Sequence, residues 1–338
     1  MIRKLEQETI LVTGGAGFIG SNLVGHLLNV RPGLRIINLD ALTYAGSKDN
    51  LSEFIDNKAH IFVHGDIRDR ELVDQLFGDY NITGVIHLAA ESHVDNSIDS
   101  PEPFIDTNIR GTYELLEASR RHWAGANTQG GKFHQVSTDE VFGSLGKEGH
   151  FTESSPYAPN SPYSASKAAA DMLVRSYNKT YGLDTAISNC SNNYGPNQHA
   201  EKLIPTIIRT ALAGEQIPIY GDGSNVRDWL FVADHCDALL RIFEQASPGS
   251  QYLIGGGYEC SNLEIASTIC AELDRIRPKN QGKYEDQITL VADRPGHDFR
   301  YAVSNSKIDR ELGWKPATDF KAGISATVQW HVENRIKH

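Results

Sequence analysis

The chain has 338 residues, enough for one large domain or two smaller ones, and its 40% hydrophobic and 22% charged content is ordinary for a soluble globular protein. With 43 acidic against 32 basic residues the formal net charge is −11, which argues against non-specific nucleic-acid binding but allows an anionic small molecule held by a few local cations. No apolar run reaches the roughly 18–20 residues of a membrane span, the first eight residues lack the apolar centre of a signal peptide, and Cys190, Cys236, Cys260 and Cys270 form no C-x-x-C pair, so a cytoplasmic protein with reduced thiols and no metal site is expected.

Thr9–Thr13 reads as a short apolar strand, followed by a glycine turn and a helix over Ile19–Asn29. Further strands are expected at Leu34–Leu39, His60–His64, Val85–Leu88 and Lys132–Ser137, with helices at Arg70–Gly78, Thr107–Arg120 and Ser164–Thr180. Repeated strand–helix–strand units imply an α/β fold with a doubly wound parallel sheet. After about residue 190 the loops become rich in Asn, Pro and Gly, as in Ser191–Pro196 and Tyr220–Gly223, while helices persist at Leu203–Ala213, Asp234–Gln245 and Asn262–Leu273. This suggests a larger domain, 1–189 plus about 228–257, and a smaller C-terminal α/β lobe that binds substrate, about 190–227 plus 258–338.

The first turn, Thr13-Gly14-Gly15-Ala16-Gly17-Phe18-Ile19-Gly20, has the spacing G-x-x-G-x-x-G between a strand and a helix. Glycines there allow a tight turn and close approach of a pyrophosphate, which the helix N-terminus attracts. Alone the pattern would fit any strand-to-helix turn. Asp40, twenty residues after Gly20 at the end of the second strand, adds an acid placed to bind ribose hydroxyls and to repel a 2′-phosphate, so NAD is expected rather than NADP. Asp66 and Ile67 would lie near the adenine, and the small residues of Leu88-Ala89-Ala90 would let the cofactor lie close to the backbone.

Two stretches carry chemistry. Tyr163 and Lys167 are four apart and share a helix face, so the ammonium can favour the phenolate and make Tyr163 a base for an alcohol proton. Thr138-Asp139-Glu140 ends an apolar run and adds an acid and a base that simple alcohol oxidation does not need. For Asp139 to donate a proton near pH 7 it must be desolvated or sit against the charge of Glu140, and the two are expected to titrate together.

These motifs, with Ser137–Gly143, Ser161–Lys167, Asn189–Pro196, Glu201–Pro205, Asn225–Trp229 and Asp293–Asp298, resemble the extended short-chain dehydrogenase/reductase family over nearly the whole chain, and within it the sugar-nucleotide 4,6-dehydratases. The resemblance implies a Rossmann-type sheet and tightly bound NAD, held by Gly14, Gly17, Phe18, Ile19, Gly20, Asp40 and Thr43, by Asp66, Ile67, Leu88, Ala89, Ala90 and Thr107, and by Tyr163, Lys167 and Asn192. It implies catalysis by Thr138, Asp139, Glu140, Tyr163 and Lys167: oxidation at C4 of a nucleotide sugar, loss of water across C5–C6, and return of the hydride to C6. Substrate would be held by Ser92, Asn192, Lys202, Leu203, Pro218, Tyr220, Arg227, Asn262, Arg294 and His297, along with the Thr138–Glu140 triplet. A homodimer through Thr107–Arg120 and Ser164–Thr180 is also implied. Ala41, Asn96 and the loop Asn197–Ala200 depart from the family's usual residues, and the choice between a thymidine and a uridine base stays open. A sugar-nucleotide epimerase or decarboxylase would not need Asp139 and Glu140, and a silent NAD-binding regulator would not need Tyr163 and Lys167 either.

Overall fold

The structure is a computed structural model and describes residues 8–124, 131–293 and 298–334. Its strands in chain order are β1 (Thr9–Thr13), β2 (Arg35–Asp40), β3 (His60–His64), β4 (Gly84–His87), β5 (Lys132–Thr138), β6 (Asp184–Cys190), β7 (Asn192–Tyr194), β8 (Ile217–Tyr220), β9 (Val226–Phe231), β10 (Ser250–Ile254), β11 (Glu259–Ser261) and β12 (Ile288–Val291). Seven of them form one sheet in the order β10-β6-β5-β4-β1-β2-β3, every pair parallel. Central strands such as β1, TILVT, are apolar on both faces because helices cover both. One face buries Val12, Leu23, Leu27, Ile36, Leu239 and Phe243, the other Leu11, Ile37, Val73, Leu115, Phe133 and Val174. A third apolar cluster, including Ile207, Ile269 and Val328, lies among the helices Leu203–Ala213, Asn262–Ile276 and Phe320–Asn334, beside the small sheets β11-β9-β7 and β12-β8.

The strand order changes direction beside β1, between the neighbours β4 and β2. Such a switch opens a crevice at the carboxyl ends of the strands. The glycine turn follows β1, Asp40 ends β2, Asp66 follows β3, Leu88 follows β4, Thr138 ends β5 and Cys190 ends β6, so chemically unlike residues converge on one edge.

Many element ends differ from the sequence expectation by one to three residues, the second strand sitting one residue later, at Arg35–Asp40. The fourth strand sits one residue earlier, at Gly84–His87. Thr107–Arg120 is not one regular helix: a π-helical turn, Ile105–Gly111, leads into the α-helix Thr112–Ala124. The wide turn lets the Asn108 side chain grip both backbone groups of Glu91 (2.9 and 3.0 Å) and Ser166 Oγ (2.8 Å). The helix expected from Ser164 starts at Pro162, because Pro suits a first helical position and Ser161 and Ser164 cap each other's backbone N–H. Tyr163 is thereby fixed in a capped first turn.

Candidate active site

A cleft of about 350 Å³ runs along the carboxyl edge of the large sheet. Its phosphate end is built by the glycine turn. Gly14 has φ +72°, and a Cβ there would lie 2.7 Å from Ala89 N. A Cβ on Gly20 would lie 2.1 Å from Gly14 O, so helix and turn can meet only without side chains. The helix Phe18–Val30 begins at Gly17 with no side-chain cap and no acid in its first turn. Its first amides therefore keep their donor capacity toward the cleft, where a pyrophosphate would be met by the positive end of the helix. Phe18, Ile19, Thr43 and Thr107 also line the cleft.

Asp40 is buried, and its two oxygens accept from Ala16 N and Leu42 N, each at 2.8 Å. The carboxylate is thus fixed at the cleft wall, where it would repel a 2′-phosphate. Asp66 and Ile67 line the same end, with Leu88, Ala89 and Ala90 forming the floor. Burial pushes the Asp66 carboxyl up, but hydrogen bonds from Arg68 outweigh it and leave the pKa lowered. These features fit a dinucleotide: a cradle that a Cβ would fill, uncapped helix amides and a fixed acid.

At the other end Thr138, Asp139, Glu140, Tyr163 and Lys167 meet. Asp139 is 2% exposed; Thr138 Oγ1 donates to its Oδ1 at 3.3 Å, and its Oδ2 has no hydrogen-bond partner among the described residues. Desolvation, then the charges of Glu140 and Asp228, hold the Asp139 carboxyl well above the usual carboxylate range, as a proton donor requires. Lys167 is buried and its Nζ donates to Val136 O at 2.9 Å.

Tyr163 corrects one expectation. Its hydroxyl is held well above its ordinary pKa, because burial and the Glu140 charge outweigh a hydrogen bond with Thr138. Lys167, itself lowered by desolvation, does not reverse this. At neutral pH the phenol therefore keeps its proton.

Ser92, Asn192 and Lys202 reach the cleft, and Lys202 Nζ donates to Ser92 O at 3.2 Å. Leu203, Pro218, Tyr220, Arg227 and Asn262 are not among the residues lining it. Arg227 is 5% exposed: its guanidinium donates to the carbonyls of Val226, Asp298 and Phe299 and lies 4.4 Å over the Tyr301 ring. Leu203 packs on the third apolar cluster, Tyr220 points outward at 45% exposure, and Asn262 is buried at the start of its helix. Arg294 and His297 lie outside the described residues.

The sequence reading gave no site role to Arg68, Glu91, Cys190, Gln198 or His199, all on the cleft wall, nor to Asp171, Asp228 and Tyr301, which are outside its lining. Tyr301 faces the Glu140 charge and donates to Asp298. Asp228, 2% exposed, faces Asp139 and is pushed up to about 6 by burial. Asp171 did carry a signal: it lies four residues beyond Lys167 on the same helix face.

A parallel sheet of this order, a glycine cradle and a Tyr-x-x-x-Lys pair in one cleft define an NAD-binding short-chain dehydrogenase/reductase fold. The chain belongs to the family whose model is described as GDP-mannose 4,6 dehydratase, which matches residues 11–327. It is 54% identical to a dTDP-glucose 4,6-dehydratase of Xanthomonas campestris over 97% of this chain and 94% of that one. A solved dTDP-glucose 4,6-dehydratase of Streptomyces venezuelae, with NAD and TYD bound, is 45% identical with a TM-score of 0.88, covering 97% of this chain and 98% of that one. A UDP-glucose 4-epimerase of Thermotoga maritima with UDP-glucose has a TM-score of 0.85 at 29% identity, covering 97% and 99%. The fold is thus shared with epimerases, and the acids at Asp139 and Glu140 are what chemistry must distinguish.

Proposed function

We propose that the chain catalyses the dTDP-glucose 4,6-dehydratase reaction, converting dTDP-glucose to dTDP-4-keto-6-deoxyglucose and water. The observation that carries this reading is the buried Asp139 beside Glu140, in the same cleft as Tyr163 and Lys167. Bound NAD supplies the hydride acceptor for C4 and the hydride donor for C6. Gly14, Gly17 and Gly20 would hold its pyrophosphate against the helix amides, and Asp40 would hold the adenosine ribose. Tyr163, once ionised, accepts the proton of the C4 hydroxyl, with Thr138 fixing that oxygen and the Lys167 ammonium nearby. The new ketone acidifies C5–H, Glu140 removes that proton, and Asp139 gives its own to the departing 6-hydroxyl. A proton then returns to C5. Lys202 stands at the cleft for the diphosphate, with Arg294 and His297 as further candidates.

The test is incubation of the purified protein with dTDP-glucose and no reductant, followed by mass spectrometry. The expected product is lighter by one water, with no net NADH. An unchanged mass accompanied by a new stereoisomer would point to epimerisation and overturn the reading. UDP-glucose in parallel measures the base preference.

We also propose a cytoplasmic homodimer. The four cysteines are free and buried, and among the described residues no helix is long and apolar enough to cross a membrane. Ile105, Tyr113, Met172 and Tyr181 are 54%, 43%, 42% and 54% exposed on the segments Ile105–Ala124 and Pro162–Tyr181, a spread of apolar surface suited to a second copy. Light scattering at micromolar concentration should give twice the chain mass; a monomer refutes the dimer.

A further inference from the structure

Tyr163, Lys167 and Asp171 fall on one face of the helix Pro162–Tyr181, each four residues after the last, and are 9%, 4% and 0% exposed. A buried ammonium needs a counter-charge. The groups facing Lys167 from the neighbouring elements are His87 on β4, Cys190 on β6 and Asp171 on its own helix. His87 is neutral, pushed by burial to about 3, and bonded to Thr13 Oγ1 and Thr112 Oγ1 at 2.7 and 3.0 Å. Cys190 stays a thiol, pushed up to about 12 by burial. That leaves Asp171 as the anion.

Asp171 is pushed up to about 6 by burial and its Oδ1 has no hydrogen-bond partner among the described residues, but Lys167 and the donors around Oδ2 pull it back, so above that pH it is a carboxylate. Its Oδ2 accepts from Ser137 Oγ (2.8 Å), Tyr157 OH (3.1 Å) and Asn189 Nδ2 (3.2 Å). Gln251 Nε2 donates to Asn189 Oδ1 at 2.7 Å, which fixes the amide so that Asn189 can offer Asp171 only N–H. Asn189 Nδ2 also donates to Thr138 O at 3.0 Å, and Gln251 reaches Tyr157 OH at 3.0 Å. Ser137 and Thr138 immediately precede Asp139 and Glu140. One carboxylate therefore joins the helix that carries Tyr163 and Lys167 to the strand end that carries the acid pair.

We infer that Asp171 is a positioning residue for the reaction: its carboxylate gives the Lys167 ammonium its counter-charge and, through Ser137 and Asn189, locks the Thr138–Glu140 strand end against the catalytic helix. This rests on the reading of Tyr163 and Lys167 given above. Without Asp171, Lys167 loses its proton at lower pH, and the alkaline limb of turnover moves down with it. Tyr157 bonds the same oxygen but adds no charge, so its loss should leave that limb in place. Arg175 is a further charge near Tyr157 and is common to both variants.

The experiment compares Asp171→Asn and Tyr157→Phe holoenzymes with the unmodified enzyme in two readouts. One is the pH profile of kcat with dTDP-glucose. The other, independent of turnover, is NMR titration of protein labelled at lysine Cε, with the Lys167 signal assigned by its absence in Lys167→Met. In Asp171→Asn both the alkaline limb and the Lys167 midpoint should fall by about one unit or more, with KM nearly unchanged; in Tyr157→Phe neither should move. Unmoved midpoints in Asp171→Asn, or equal shifts in Tyr157→Phe, overturn the inference. Should Asp171→Asn not fold, the unmodified protein decides: its Lys167 signal must inflect near the Asp171 midpoint of about 6, and a flat signal there overturns the inference. If the unmodified enzyme leaves dTDP-glucose intact, the proposed function fails while the lysine titration still tests Asp171.

Discussion

Replacing Asp139 by Asn tests the assigned acid most directly. The amide keeps the size and can still bond Thr138, but it has no proton to give the leaving hydroxyl. General acid catalysis contributes typically 10²–10⁴-fold, or about 3–5 kcal/mol of barrier at 1.36 kcal/mol per tenfold. Asp139 is 2% exposed, so bulk water cannot take its place and the upper half of that range applies. C4 oxidation does not use this proton. In a single-turnover stopped-flow experiment NADH should therefore form at near the normal rate and then persist, because elimination is blocked. Stability should also move in a defined direction. The folded carboxyl is held above its unfolded value, so its contribution is complete below the unfolded pKa of about 4 and is lost as pH rises through the folded value. The Asn variant escapes that loss: its Tm should equal or exceed that of the unmodified protein at pH 8, and the difference should shrink toward pH 4. Elimination at the unmodified rate, or a Tm gap that widens on acidification, would refute the assignment.

Three further outcomes follow from the geometry. Glu140→Gln should also form NADH yet stall before water leaves, losing about 10²-fold or more in product formation; product at the unmodified rate would sink the dehydratase mechanism. Gly20→Ala would place a Cβ 2.1 Å from Gly14 O and 2.7 Å from Gly15 Cα, both backbone atoms that cannot swing aside, and should cost about 1–3 kcal/mol of stability along with NAD binding, read by thermal unfolding and calorimetric titration. Asp40→Ala strands the amides of Ala16 and Leu42 and removes the anion, so NAD should bind roughly tenfold or more weaker, at about 1.5–3 kcal/mol per charged hydrogen bond, while the preference over NADP narrows; equal affinities in variant and unmodified protein contradict the role given to Asp40.

What the sequence made legible is what local spacing controls. The glycine turn, Asp40 and the Tyr163–Lys167 pair are set by the geometry of one turn or one helix, and all line the cleft. The triplet Thr138–Glu140 was legible because it ends a buried strand. Arg227, Tyr220, Pro218, Leu203 and Asn262 came from resemblance, and their side-chain positions depend on how distant segments fold together. Arg227 turns onto the carbonyls of Asp298 and Phe299, a segment about seventy residues away in sequence. The π-helical turn at Ile105–Gly111 left no trace in the apolar pattern, and the bonds it allows Asn108 to make, to Glu91 and Ser166, join segments distant in sequence. Asp171 was legible by spacing but not by chemistry, because only the fold shows that Ser137, Tyr157 and Asn189 surround it.

Tyr163 shows why charge could not be read from spacing alone. The burial that usefully raises Asp139 also raises Tyr163, and Glu140 adds to both. Lys167, four residues away, does not overcome this, and burial lowers its own pKa as well. An oxidised nicotinamide ring would add a positive charge to the cleft, where the reduced ring is neutral, and a cation nearby would favour the phenolate. Tyr163 should then ionise more readily with NAD⁺ bound, when a proton must be taken, and regain its proton with NADH. Difference absorbance of the phenolate, titrated in Tyr163 and Tyr163→Phe proteins with each cofactor form, measures this directly. A Tyr163 midpoint lower with NAD⁺ than with NADH is expected; equal midpoints would mean that substrate, rather than cofactor charge, sets the base.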